Sequence, residues 1–415
     1  MTPEEKKTAA PPQRSAWPWA LPLGVVLCGA LFVAARLAGR DWDPSVCVCA
    51  STTYCEAAQL PAPLRLHTAG AVYDGLFFYR LALAPWDWRA EARGIRFDNT
   101  AYRVQRIGYP LVCWLASGGR AAWLAGAMLA VNLFWLGVLA WVLVRWLRDL
   151  KWSAAWALLP CLWPGLLVTL GRDLCELQET ALLVLGCWLL FRNRAGWGAL
   201  ALTGAVLTRE TALLPVAGLF VFSLWQACRQ PQRTSWSWPG WLLLPLGCAL
   251  LWQVGLRLHF GVWPMRAIDT GVVASPVPGL GLLTFLVHGL PFRPLQAPPA
   301  LLGLEAQTVQ GGYWLFSAGA LGLLLLVLVA ALLAWRPAVL PAPIKWAALA
   351  AFGAVLIQAE SNWQHGPSAF LRIANEACVL GLLLVATAPQ RLRSVLMVVM
   401  LLGWLACWPY ALWMP

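Results

Sequence analysis

The chain has 415 residues, of which 60% are hydrophobic and only 12% charged, with 28 Trp and a formal net charge of +12; its mean hydropathy is +0.66. Those values exclude an ordinary soluble domain and describe a polytopic membrane protein. The basic excess is spread over short turns and not gathered into a patch, which excludes nucleic acid as a partner and makes membrane lipid the expected one.

Residues 1–16 (MTPEEKKTAAPPQRSA) read as a short cytoplasmic tail, and 17–415 as a single membrane domain without a repeat of fixed period or a low-complexity linker. The first apolar run, Trp17 to Gly39, is too long for a removable signal peptide and lacks its small-residue cleavage pattern, so a retained span is predicted. Further spans are predicted at about Ala122 to Leu147, Ser153 to Leu170, Leu174 to Phe191, Gly196 to Leu207, Ala212 to Trp225, Trp238 to Leu256, Tyr313 to Trp335, Ile344 to Ile357, Ile373 to Ala386 and Val395 to Trp413. The fold class expected is therefore all-α and polytopic, with about eleven transmembrane helices.

Orientation follows from the loop charges. With the tail inside, the cytoplasmic segments hold Lys6, Lys7, Arg14, Arg145, Arg148, Lys151, Arg192, Arg194, Arg229, Arg233, Arg336, Lys345, Arg391 and Arg393 against Glu4, Glu5 and Asp149. Every Lys then falls inside, and the outer face keeps the other acids, the remaining arginines and all four His. A plasma (inner) membrane protein with its polar chemistry on the extracytoplasmic face is expected. Arg suits bidentate binding of phosphate or carboxylate better than Lys does.

Two long outer loops are predicted, 40–120 and 258–312. In the first, YDGLFFYRLALAPWDWRAEARGIRF and YRVQRIGYPLVCWLASGG are too short or too charged to span and are predicted as interfacial helices, with Trp and Tyr at headgroup depth. Cys47, Cys49 and Cys55 of CVCASTTYC lie on the oxidising side, where one local disulfide with a third thiol left over fits the pattern. The apolar middle of the second loop, about 277–291, is flanked by Pro and Gly and reads as an interfacial or re-entrant piece.

Several polar residues stand out against this background. Asp74 precedes the helix-like FFYRLAL, where it suits an N-cap or a functional carboxylate. In GRDLCELQE, Arg172 and Asp173 form a turn, and Glu176 and Glu179 follow one and two helical turns on; either a site or pairing with Arg172 accounts for them. LTRETALLP brings Arg209 and Glu210 to the same face, with a buried ion pair as the structural reading. Asp98, Arg103, Gln105 and Arg106 belong to FDNTAYRVQRIGYP. The late turn ESNWQHGPSAFLRIANEA adds Glu360, His365, Arg372 and Glu376, with Arg372 held by a phosphate or by Glu376 four residues on. Asp41 and Asp43 in GRDWDPS form a D-x-D that suits a divalent cation such as Mg or Mn or, more simply, a solvated turn.

YDGLFFYRLAL, the downstream YRVQRIGYPLVCWL, the GRDL turn and LTRETALLP together resemble polytopic glycosyltransferases of the GT-C superfamily, such as bacterial mannosyltransferase-like membrane proteins; by motif the resemblance covers Tyr73 to Pro215. It implies a first outer loop of interfacial helices carrying an acidic residue near the active centre, and a polyprenyl-phosphate-linked sugar donor. The acceptor would be a hydroxyl on a glycan, lipid or protein. Asp74 matches the acidic position, although in the family that acid lies nearer the first span, where Asp41 and Asp43 stand here. On this reading Asp74 is the general base of an inverting transfer. Arg172, Arg209 and Arg372 bind the departing phosphate, and Tyr73, Asp98, Arg103, Arg106, Asp173, Glu176 and Glu210 support them. No cofactor is demanded beyond an optional divalent cation at Asp41 and Asp43. The alternatives are a transporter or flippase of lipid-linked sugars and a non-catalytic protein of envelope assembly.

Overall fold

The computed structural model describes residues 19–66, 74–229, 237–267, 277–288, 306–358, 362–363 and 367–413. Tyr73, Glu360, His365 and the residues of the tail lie outside these. The fold is helical, with one two-stranded hairpin among the described residues.

Among the described residues, six helices are long and apolar enough to cross a membrane. They are α1 (Ala20–Ala38), α6 (Ala121–Asp149), α11 (Leu213–Arg229) with the turn before it, α12 (Ser237–Phe260), α14 (Ala306–Ala334) and α18 (Gln390–Trp413). The other predicted spans are apolar but short or broken. α9 (Glu176–Phe191), α10 (Ala195–Thr208) and α15 (Ala342–Leu356) have 16, 14 and 15 residues; at 1.5 Å per residue these reach about 21 to 24 Å, less than the ~30 Å of a bilayer core. The run from Ser153 to Leu170 is interrupted: α7 (Leu158–Cys161) ends, Trp163 is extended, and Pro164 opens α8 (Pro164–Leu170). A proline lacks the amide that a continuous helix would need and pushes its predecessor out of the helical region. The run near Ile373 is also split, into α16 (Pro367–Ile373) and α17 (Asn375–Ala386).

α9 packs against α6, α8, α10 and α17. Lipid tails are as apolar as the side chains, so helices here associate through close packing more than through a hydrophobic drive. α9 and α10 use glycine for this. A Cβ on Gly186 would stand 2.6 Å from Leu202 and 3.0 Å from the carbonyl of Gly198, so both backbones need the missing side chain.

Loop 40–120 holds α2 (Ser45–Val48), α3 (Asp74–Leu83), β1 (Glu91–Ala92), β2 (Ile95–Arg96), α4 (Thr100–Val104) and α5 (Gly108–Ser117). Three expectations change here. α3 is no surface helix, since every residue from Gly75 to Leu83 is buried, and it packs against α5, α6 and α2. α5 is the amphipathic one, leaving Leu111 and Leu115 exposed. The stretch WDWRAEARGIRF is not helical at its centre: β1 and β2 pair antiparallel across Arg93 and Gly94, which take φ of 54° and 69°. Two left-handed residues suit the twist of a two-residue hairpin turn. No disulfide joins any two of Cys47, Cys49 and Cys55, contrary to the disulfide reading. Cys49 donates to the Val46 carbonyl at 3.4 Å, and burial pushes the Cys47 thiol up to about 12.

In the second loop, α13 (Leu280–His288) has nine residues, about 13 Å of helix and well short of a crossing. It packs on α15, and Gly279 donates to the Leu356 carbonyl at 2.7 Å.

Candidate functional site

Asp74 opens α3, and its first turn lies against backbone on two sides. A Cβ on Gly75 would meet the Arg172 carbonyl at 2.5 Å and those of Cys47 and Val48 at 3.3 Å, so glycine lets the helix start press into the turn after α8. Asp74 is thereby held at the end of the bundle where α9 begins and α10 ends.

Its carboxylate binds guanidiniums from distant parts of the chain. Oδ1 accepts from Arg103 at 2.7 Å, and Oδ2 accepts from Arg372 at 2.9 Å and from Arg106 at 3.4 Å. Arg103 and Arg106 stand three residues apart, one on α4 and one just beyond it, so a single helical turn delivers both. Each is fixed on its far side by a second carboxylate. Arg103 bonds Asp98 through Nε at 2.8 Å and Nη2 at 2.5 Å, and lies 4.3 Å above the Phe77 ring. Arg106 bonds Glu210 through Nε at 2.8 Å and Nη2 at 2.5 Å, and also donates to the Tyr102 hydroxyl at 2.5 Å.

Arg372 extends the network into the bundle. Its Nη1 bonds Glu176 at 2.8 Å as well as Asp74, and Glu176 lies 3.9 Å from Arg209. Arg209 reaches Glu376 at 3.4 Å, where the Thr211 hydroxyl also donates. Charges thus alternate from Asp98 through Arg103, Asp74, Arg372, Glu176 and Arg209 to Glu376, with Arg106 and Glu210 branching from Asp74. Five carboxylates meet four guanidiniums, and of the nine only Asp98 is exposed.

Such pairs are costly to bury and expensive to break singly. Arg209 is the loosest member, because both its ion pairs are long and its Nε is buried without a hydrogen-bond partner. Glu179, one turn into α9 from Glu176, is fully buried, and its Oε2 accepts from the Thr180 hydroxyl at 3.1 Å. Burial by itself would raise the Asp74 carboxyl; the charges of Arg103, Arg372 and Arg106 overcome it and hold the group well below the usual carboxylate range. Asp74 is therefore an ionised carboxylate at neutral pH. The same pairing holds Arg106 well above its ordinary value against the opposing effect of burial.

Of the residues expected at a site, the structure brings together Asp74, Asp98, Arg103, Arg106, Glu176, Arg209, Glu210, Arg372 and Glu376. It changes their partners. Arg209 and Glu210 do not pair with each other, and Arg372 pairs with Glu176, not with Glu376 four residues on, because the helix breaks at Ala374. Glu176 is held by Arg372 and Arg209, not by Arg172, whose carbonyl is the group that meets α3. Asp173 belongs to a different buried group. Its backbone is left-handed, with φ of 49°, and its charged and polar neighbours are Asn132 and Arg36. Burial pushes its carboxyl well above the usual range, against both of them. Asn132 in turn donates to the Tyr109 hydroxyl at 2.9 Å.

Asp41 and Asp43 do not join the network. Asp43 accepts from the Ser45 amide at 2.9 Å and the Ser45 hydroxyl at 2.8 Å, which ties it into the turn that leads into α2, two residues before the helix starts. Among the described residues, no group of three or more His, Cys, Asp or Glu side chains is arranged to hold a metal ion.

Some members were not singled out from the sequence. Tyr102 stands four residues before Arg106, a helical neighbour, and that spacing is a usable signal. Arg36, Asn132 and Thr211 sit in apolar or turn sequence with nothing local to mark them. Gln178 donates to Thr208 at 2.9 Å and ties the start of α9 to the end of α10.

Fold and site together define a helical membrane protein with a buried arginine–carboxylate network at one end of its bundle. No family model matches the chain, and no curated protein and no solved structure matches it. Its function has to be read from the site.

Proposed function

We propose that the chain is a glycosyltransferase of the plasma membrane, moving a sugar from a polyprenyl-phosphate donor to an acceptor hydroxyl on the extracytoplasmic face, with inversion at the anomeric carbon. The observation that carries this reading is the ionised Asp74, fixed by Arg103, Arg106 and Arg372 from separate parts of the chain. In the reaction the acceptor oxygen forms a bond to the anomeric carbon while the bond to the donor phosphate oxygen breaks. The acceptor proton passes to Asp74. A carboxylate with a depressed pKa is a weak base, yet the hydroxyl acidifies as its oxygen bonds to carbon, so a positioned carboxylate within about 3 Å suffices late in the step.

The leaving group is a phosphate anion and needs cationic donors. Arg209 is the least committed guanidinium, and Arg372 offers the Asp74 carboxylate and the leaving phosphate a common counter-charge. Asp98 and Glu210 hold Arg103 and Arg106 in place, and Glu176 does so for Arg372. Five carboxylates against four arginines leave a net negative network, so donor phosphate binds by replacing a carboxylate at Arg209 and not by adding to an empty cradle. A transporter of lipid-linked sugars calls for polar groups near mid-membrane on a repeated architecture; this network sits at helix ends.

The test uses membranes containing the protein and a panel of radiolabelled polyprenyl-phosphate hexoses. Transfer that requires the protein and falls with Arg209→Gln supports the reading. Absence of transfer from every donor offered, with the protein folded and inserted, refutes it.

A further inference from the structure

We propose that the end of the bundle away from Asp74 carries a binding site for an anionic glycerophospholipid, with its phosphate between α6 and the α9–α10 turn and an acyl chain between α10 and α12. α9 separates this place from the Asp74 network by its whole length, 16 residues or about 24 Å. The site is independent of the transferase reading.

A cleft of about 450 Å³ opens there, lined by Trp141, Arg145, Asp149, Trp188, Arg192 and Arg194. Three guanidiniums face one carboxylate. Asp149 is fully used, since one oxygen accepts from Trp188 at 2.8 Å and the other from Arg192 at 2.9 Å. Arg145 lies 5.8 Å from the centre of the Trp141 ring, and neither it nor Arg194 has a carboxylate partner among the described residues. Both are exposed. The cleft therefore presents two uncompensated cations beside an aromatic wall, in which Trp141 and Trp188 meet edge to face at 5.5 Å. Indoles of this kind belong at headgroup depth, and basic pockets between transmembrane helices suit acidic headgroups.

A second cleft, about 630 Å³, shares Arg194 with the first and is lined by Trp197 and Leu200 of α10 and Trp241 and Leu244 of α12. Each pair is spaced i, i+3 on its helix and so forms an apolar stripe running along the bundle. Trp197, Leu200 and Trp241 are exposed at 68%, 53% and 49%. A soluble anion has no use for that groove. A lipid fills both, with Arg194 at the junction of phosphate and chain.

The test is native mass spectrometry of the full chain in neutral detergent, titrated with phosphatidylglycerol and with phosphatidylcholine, and repeated with inorganic phosphate as competitor. Wild type is expected to retain phosphatidylglycerol preferentially. Arg145→Gln combined with Arg194→Gln removes two surface charges outside any ion pair and is expected to weaken that binding about 30-fold. Asp149→Asn, which releases Arg192, is expected to tighten it, and decides the matter alone if the double variant does not fold. Equal retention of the two lipids, affinities unmoved by either variant, or displacement of the lipid by millimolar inorganic phosphate would each overturn the assignment.

Discussion

Arg372→Gln removes the guanidinium that joins Asp74, 298 residues before it, to Glu176, 196 residues before it. Asp74 keeps Arg103 and Arg106 after the change, but Glu176, whose side chain is only 1% exposed, is left with Arg209 at 3.9 Å. Breaking a buried pair costs up to roughly 3 to 5 kcal/mol, and the long contact to Arg209 offsets only part of that. Glu176→Gln alone is milder, because Arg372 retains Asp74. The double variant should then be less destabilised than the two singles added together, with a coupling of about 2 kcal/mol, inside the range seen for groups sharing one network. The assay is reversible unfolding in mixed micelles, read by tryptophan fluorescence for wild type, both singles and the double. Additivity within about 0.5 kcal/mol would mean that Arg372 and Glu176 do not interact, and the alternating network would be wrong at its centre.

Other consequences follow from the same geometry. Asp74 has a folded pKa below its unfolded one, so the stability it supplies is complete above the unfolded value of about 3.9 and is lost as pH falls through the folded value. Unfolding midpoints of wild type and Asp74→Asn should therefore differ by a constant amount from neutral pH down to about pH 4 and converge only below it; convergence at pH 6 would show an unpaired carboxylate. Gly75→Ala places a methyl 2.5 Å from the Arg172 carbonyl and should cost at least about 1 to 3 kcal/mol, read as a lowered unfolding midpoint. Alkylation of the denatured protein without reductant should modify all twelve cysteines, including Cys47, Cys49 and Cys55, and a product two adducts short would restore the disulfide.

The sequence made the membrane class plain through its hydropathy, and it made the membership of the ion-pair network largely plain through the scarcity of charge. In a chain only 12% charged, each acid or arginine beside an apolar run is conspicuous, and nine of these meet in one network. Partnership was not legible. Spacing suggested Arg372 with Glu376 and Arg209 with Glu210, because local neighbours are all that a linear pattern offers. The break at Ala374 and the approach of Arg106, just beyond α4, to Glu210, just before α11, reassigned both pairs. Helix breaks and lengths were not legible for a related reason: hydropathy registers the apolar run from Ser153 to Leu170 but not that Pro164 divides it, nor that α9 and α10 are buried by protein along much of their length. α3 was misplaced because its aromatic and arginine content fits an interface as well as it fits a core. Only the packing of α2, α5 and α6 around it decides between them.

The most direct test of the central claim is the rate of sugar transfer by purified, reconstituted wild type and Asp74→Asn at equal amounts of folded protein, from whichever polyprenyl-phosphate hexose the donor panel identifies. If Asp74 accepts the acceptor's proton, kcat should fall by about 10² to 10⁴ while the KM for donor changes little. Equal kcat for the two proteins would contradict the assignment of Asp74 as the base.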